Sequence, residues 1–268
     1  MALWVRCCLL GCYTTVLLFS QLICLDAKEK VAVRTCCQVP LPLGSWHKDI
    51  PTTTFWIGTD ITKWSPKGIF RSSWDEHWIR NYGGEDSPEA RAGLLPGTHA
   101  ATLNPFYVAL PFNDIAYPVT ARKWMPWFDP SVPKGVSQCK GHWVEIKNKW
   151  GKEAYAQWMD VGPYVADDYC YVFGACRPKS KSGLDVSPAV KEYLGLNGSD
   201  KVSWRFVDEK EVPQGPWLKY LEEAILYSAI KKREMERRAN KSEQKRKGKN
   251  QSNRKKQSQR ERSSPLKE

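Results

Sequence analysis

The sequence predicts an all-β core with helical insertions and a C-terminal helix. Three observations predict it: short β-rich runs bounded by Gly, Pro or Asn; a strand, turn, loop and capped helix in succession over residues 154–196; and a helical periodicity near the C-terminus. The 268 residues leave room for one domain, because both ends read as something other than globular core.

Arg6 is followed by a mostly apolar run from Cys7 to Leu25, the length of a signal-peptide core with its flanks. Residues 1–27 are expected to be a signal peptide cleaved after Ala27, with a retained anchor or lipid attachment at Cys24 as alternatives. Export to a periplasmic, cell-surface or extracellular site follows. Residues 28–51 hold Pro40, Pro42 and Gly44 and have the composition of a linker. The domain is expected over residues 52–210, with Thr52 to Ile57 as its first strand. Ser73 and Glu76 form a capping box before a helix that carries Trp74 and Trp78 on one face and stops at Gly83-Gly84. Further strands are expected at Phe106 to Leu110, His142 to Lys147, Tyr155 to Asp160 and Val202 to Asp208.

Residues 217–238 read as an amphipathic helix whose apolar face holds Leu218, Leu221, Ile225 and Ile230. The tail at 239–268 is expected to lack fixed structure, being dominated by Lys, Arg, Ser, Gln and Asn. From Lys231 to Glu268 there are 16 Lys and Arg against 5 acidic residues, so nearly all of the chain's +12 sits there. Anionic surface polymers or phospholipid are the partners expected for this tail. Nucleic acid is disfavoured, since no aromatic follows Tyr227.

Five cysteines follow the signal segment, an odd count. Cys170 and Cys176 flank a tight loop and are the expected disulfide, with Cys139 pairing to Cys36 or Cys37. Cys139 and His142 have the spacing of a zinc pair, yet no second pair completes a site, so no metal is expected. No cofactor is expected either. The chain lacks a Gly-rich phosphate loop, a Gly-x-Ser-x-Gly elbow and a His-Glu-x-x-His motif, which argues against nucleotide enzymes, α/β-hydrolases and zincins.

Two aspartates stand out. Ala154, Ala156 and Trp158 share a period-2 face with Asp160, and Gly162-Pro163 ends that strand. Asp185 lies just before Ser187-Pro188, a helix cap and first position, and the helix should stop near Gly195. Each has a structural explanation as well: Asp185 as a helix-terminal carboxylate, Asp160 as a turn aspartate. The 13 Trp outnumber the 11 Tyr and 8 Phe. Trp74, Trp78, Trp158 and Trp204 lie on regular elements and read as core, whereas Trp124 and Trp127 lie in the loop WMPWFDP and are candidates for a glycan platform.

The segments QWMDVGP and GLDVSPAVKEYLGL resemble the Asp-x-Gly-Pro and Ile-Asp-Leu-Ser signatures of the rare lipoprotein A family, and the His-Phe-Asp-Leu-Ser segment of expansins and barwin-like endoglucanases. NPFYVALPFND and CKGHWVEI are similar to upstream strands of those families, and the resemblance spans roughly Thr52 to Asp208. It implies a six-stranded double-psi β-barrel, expected as a monomer, whose groove binds cell-wall polysaccharide, peptidoglycan above all. Asp185 matches the family's general acid, and Asp160 would be its neighbour. Asp60 or Asp114 would be the second carboxylate of a hydrolase. Tyr164 and Asp168, in the intervening loop, would line the groove. Lytic transglycosylase or glycoside hydrolase chemistry is implied, with a non-catalytic wall-binding module as the alternative. The histidine that precedes the aspartate in expansins is replaced by Gly183-Leu184.

Overall fold

A computed structural model describes residues 39–58 and 71–262. The signal segment, Cys36, Cys37 and Asp60 lie outside the described residues. In chain order the elements are β1 (His47–Thr54), α1 (Trp78–Tyr82), β2 (Arg91–Ala92), β3 (Leu95–Pro96), β4 (Tyr107–Leu110), α2 (Pro118–Trp124), β5 (Trp143–Lys147), β6 (Glu153–Val161), α3 (Tyr169–Phe173), β7 (Leu184–Val186), α4 (Pro188–Leu194), β8 (Lys201–Val207) and α5 (Pro216–Arg262). Six strands close into a barrel in the order β1-β7-β4-β6-β5-β8, while β2 and β3 form a separate small hairpin. The barrel is mixed. β1 pairs in parallel with β7 and β4 with β6, and the other four contacts are antiparallel.

The alternating residues of the strands account for the interior. Val108, Leu110, Val144, Ile146, Ala154, Ala156, Trp158, Leu184, Val186 and Trp204 are buried in one cluster. Removing each large side chain from water contributes about 1.5–3 kcal/mol. A smaller cluster of Phe55, Ile57, Trp78, Tyr82, Tyr107 and Ala109 forms where α1 packs on the outward-facing residues of β4. Trp78, Trp158 and Trp204 are fully buried, as their positions on regular elements lead one to expect.

β1 starts at His47, inside the stretch read as linker, and its ladder begins opposite Trp204 on β8. The helix expected from Ser73 is shorter than its capping box implies and spans only Trp78–Tyr82. Local side-chain bonds win there: Ser72 Oγ accepts from the Trp74 amide at 3.2 Å and Asp75 Oδ1 from the His77 amide at 3.0 Å, which holds the segment in turns. Gly83 ends the helix as expected, with φ 104° and its amide on the Ile79 carbonyl. α4 is capped as read from the sequence: Ser187 Oγ accepts from the Val190 amide, Pro188 opens it and Gly195, at φ 67°, closes it.

α5 departs from expectation in two ways. Its docking face is Trp217, Leu221, Ala224 and Ser228, with Trp217 against Tyr155, Tyr193 and Phe106 and with Ser228 Oγ donating to the Thr102 carbonyl at 2.9 Å. Ile225 and Ile230, assigned to the apolar face, are exposed. The tail expected to lack fixed structure continues the same helix to Arg262. Lys, Arg, Gln and Glu are good helix formers even where no core supports them. At 1.5 Å per residue the 47-residue helix is about 70 Å long.

Cys170 and Cys176 are disulfide-bonded, as expected. Cys139 does not pair: it is a free, buried thiol 3.8 Å from Met125 Sδ. Among the described residues, no helix is long and apolar enough to cross a membrane.

Candidate functional site

Asp185 is the middle residue of β7, a strand of three residues, too short for alternation to reveal in the sequence. Leu184 and Val186 point into the barrel, so Asp185 points outward. On one side its backbone registers with Thr53 of β1, and on the other with Ala109 of β4. Ala109 in turn registers with Asp160 of β6. Thr53, Asp185, Ala109 and Asp160 thus form one row across four adjacent strands.

Asp160 reaches this row by a break in pattern. Strict alternation would keep it on the interior face with Ala156 and Trp158. Instead the register shifts: Val108 faces Trp158, but Ala109 faces Asp160, which leaves Met159 as an extra residue packed against the outer cluster. A bulge of this kind re-aims the side chain that follows it. Trp158 secures the turn by donating its indole N–H to the Asp160 carbonyl at 2.7 Å.

The two carboxylates have different environments. Asp160 is 8 % exposed, and its Oδ1 accepts from the amides of Ser73 and Val161, each at 2.7 Å. Burial nevertheless raises its pKa from 3.8 to about 6, against those two hydrogen bonds. Asp185 keeps partial solvent contact. Burial raises it too, from 3.8 to about 6, helped by the nearby Asp160 charge and opposed by the hydrogen bond from the Thr53 hydroxyl to Oδ1. Ser182 Oγ lies 3.2 Å from that hydroxyl and donates to the Pro51 carbonyl at 2.9 Å, so the Thr53 side chain is itself held. Among the described residues, Asp185 Oδ2 has no hydrogen-bond partner. It faces Gly162, where an added Cβ would lie 3.4 Å from it and 3.9 Å from the Ala109 Cβ. A side chain at Gly162 would therefore meet both residues only at ordinary van der Waals distance. The Gly162-Pro163 peptide is cis, and Tyr164 beyond it is 72 % exposed with φ 63°.

The other residues singled out from the sequence lie elsewhere. Asp114, a possible second carboxylate, is a loop clamp: it accepts from Ser137 Oγ at 2.8 Å and from the amides of Gln138 and Cys139 at 2.5 and 3.3 Å. Asp168 does not line an open groove. It is 1 % exposed, its Oδ2 accepts from the Lys179 amide at 2.7 Å, and burial raises its carboxyl. Trp124 ends α2 and is 5 % exposed, so its faces belong to the core. Trp127 donates its indole N–H to the Gln138 carbonyl and stacks on His142, with ring centroids 4.0 Å apart. Trp124 is thus turned into the core, whereas Trp127 packs edge-on to Phe206 of β8 but stays half-buried, lining an open cavity of about 430 Å³ with His142 and Trp143.

Sequence reasoning missed Thr53, Ser73 and Ala109, which reach the carboxylates only through strand register or through a turn. It also placed Trp74 in the core, whereas Trp74 is only partly buried, edge-on to Trp158 at 5.6 Å and one residue from the amide that holds Asp160.

No family model matches the chain, and no curated protein matches it. Among solved structures, the Streptomyces papain inhibitor is similar over 63 % of this chain and 99 % of its own, at 16 % identity and a TM-score of 0.28. A likeness that slight bears on neither family nor function.

Proposed function

We propose that the closed barrel is a double-psi barrel of the rare lipoprotein A and expansin type, and that it cleaves cell-wall polysaccharide with Asp185 as the general acid. One observation carries this reading: two carboxylates share an outward-facing row, bracket a single alanine and are both held near pKa 6. Glycoside cleavage needs a carboxylic acid still protonated near neutral pH. Asp185 meets that need with Oδ2 unpaired and partly in solvent. Its proton would pass to the glycosidic oxygen as the bond to the leaving sugar breaks. Asp160 then acts mainly through its charge, which keeps the Asp185 proton in place at higher pH.

Two residues registered with the same alanine are two strand spacings apart at the backbone, about 10 Å. The bond cleavage would take the form either of an inverting pair or of a single-acid lytic transglycosylase, in which a sugar hydroxyl attacks. A second reading, a wall-binding module without bond cleavage, is favoured by the state of Asp160: its Oδ1 is already occupied by two backbone amides, so it is poorly placed to activate water.

Purified protein incubated with isolated peptidoglycan sacculi separates the readings, with soluble products identified by mass spectrometry. Anhydro-muropeptides indicate transglycosylase chemistry, and new reducing ends indicate hydrolysis. Either product persisting unchanged in Asp185→Asn would remove Asp185 from the mechanism. Absence of product with retained sedimentation on sacculi establishes the binding module.

A further inference from the structure

The free half of α5 carries a one-sided cationic face, and we infer that this face docks a linear anionic polysaccharide. From Lys232 to Gln251 every residue of the helix is exposed. At 100° per residue, Arg233, Arg237, Lys241, Lys245 and Lys249 advance 40° per step, so the five lie within one half of the helix. Arg238 falls in the same half, and Glu234 is the one acid there. The opposite half holds Lys232, Arg246 and Lys247 with Glu236 and Glu243, and Glu243 is already paired to Lys247 at 2.8 Å. One face is therefore strongly positive and the other nearly neutral. The five-cation ladder rises about 6 Å per step over about 24 Å, a row that a linear polyanion can follow.

The same residues weigh against other occupants. Met235 and Ala239 are the only hydrophobic residues in this stretch, so the helix has no apolar face to enter a lipid headgroup layer. No aromatic is present to stack on unpaired bases. A helix inside a duplex groove has phosphates on both sides, and here one side would present Glu236 and Glu243 to them. Binding of this kind is independent of Asp185 chemistry, and Asp185→Asn should bind equally well.

The test uses the full chain and three fluorescent probes: heparin as a sulfated polysaccharide, a 20-base-pair DNA duplex, and vesicles containing anionic lipid. Two variants with equal loss of charge are compared, R237Q/K241Q/K245Q on the cationic face and K232Q/R246Q/K247Q on the other. With a salt exponent of ~0.8 per contact, five contacts should weaken heparin binding by a hundred-fold or more between 50 and 200 mM salt. The cationic-face variant should lose at least tenfold in heparin affinity at low salt and about 2 in the exponent, while the other variant stays within about threefold. Circular dichroism confirms that each variant keeps its helix. Equal losses in both variants would show that net charge alone is at work and overturn the proposal. Tighter binding of the duplex or of the vesicles than of heparin would overturn it as well.

Discussion

Replacing Asp185 by Asn should make the protein more stable while removing any cleavage activity. The carboxyl is raised from 3.8 to about 6, chiefly by burial. At ~1.36 kcal/mol per tenfold change in acidity, ionising it at pH 7 costs the fold at most about 3 kcal/mol. Partial solvent contact reduces this, and about 1–2 kcal/mol remains. For a chain of this size that corresponds to a Tm increase of roughly 3–6 °C. The sign follows from proton binding: between pH ~4 and ~6 the unfolded chain gives up this proton while the folded chain keeps it, so wild-type stability falls as pH rises through that window and levels off above it. Asn keeps an oxygen to accept from Thr53 and carries no charge, so the variant lacks this component. Unfolding of both proteins in urea from pH 4 to 7.5, plotted as the difference between them, isolates the effect. The subtraction matters because His47, stacked on Trp204 at 4.2 Å and lowered by burial to about 4, contributes the opposite slope over the same window. A difference that fails to grow between pH 4 and 6, or a variant less stable than wild type at pH 7, would refute the buried-charge reasoning.

Thr53→Val removes the hydroxyl that favours ionised Asp185, so the Asp185 titration followed by carboxyl NMR should move upward; a midpoint at or below wild type contradicts the assigned hydrogen bond. Trp127→Ala should destabilise by about 3 kcal/mol, since its ring packs on His142, Phe173 and Phe206, and should leave sedimentation on sacculi unchanged at low temperature. Lost binding with intact stability would restore Trp127 as a glycan platform. Tyr164→Ala should do the reverse, changing stability by less than about 0.5 kcal/mol while weakening binding to sacculi, because the ring is 72 % exposed beside Gly162. Unchanged binding in that variant would place Tyr164 outside the groove.

What the sequence disclosed was whatever has a local cause. The Ser187-Pro188 cap, the Gly195 stop, the Gly83 stop and the Cys170–Cys176 bridge depend on residues a few positions apart, and all are found as read. Four barrel strands other than β1 and β7 were placed within two residues of their bounds, because each is a β-rich run bounded by Gly, Pro or Asn. β7 is three residues long, and its strand identity comes from β1 and β4 on either side, which no local pattern encodes. The same reason hid Thr53 and Ala109. Trp124 misled for a related cause: read as a loop residue, it ends α2 and is buried there. For α5, hydrophobic spacing chose Ile225 where packing chose Ala224, since a small side chain lets the helix approach the body closely.

The bulge in β6 joins the core to the site. Trp158 must point inward to fill the barrel, and Asp160 two residues later would share its face in a regular strand, placing a carboxylate in the hydrocarbon interior. Such a charge is very costly to bury unpaired. One extra residue, Met159, resolves the conflict by turning Asp160 out while its own side chain joins the cluster under α1. The outward position is still nine-tenths buried, which is why Asp160 is raised to about 6 rather than restored to an ordinary value. Its two amide partners then fix the direction of the carboxylate toward the row it shares with Asp185. The core thus sets the site's electrostatics through backbone register: Trp158, fully buried in the barrel, also holds the bulge by its indole N–H and so determines where the second charge can be.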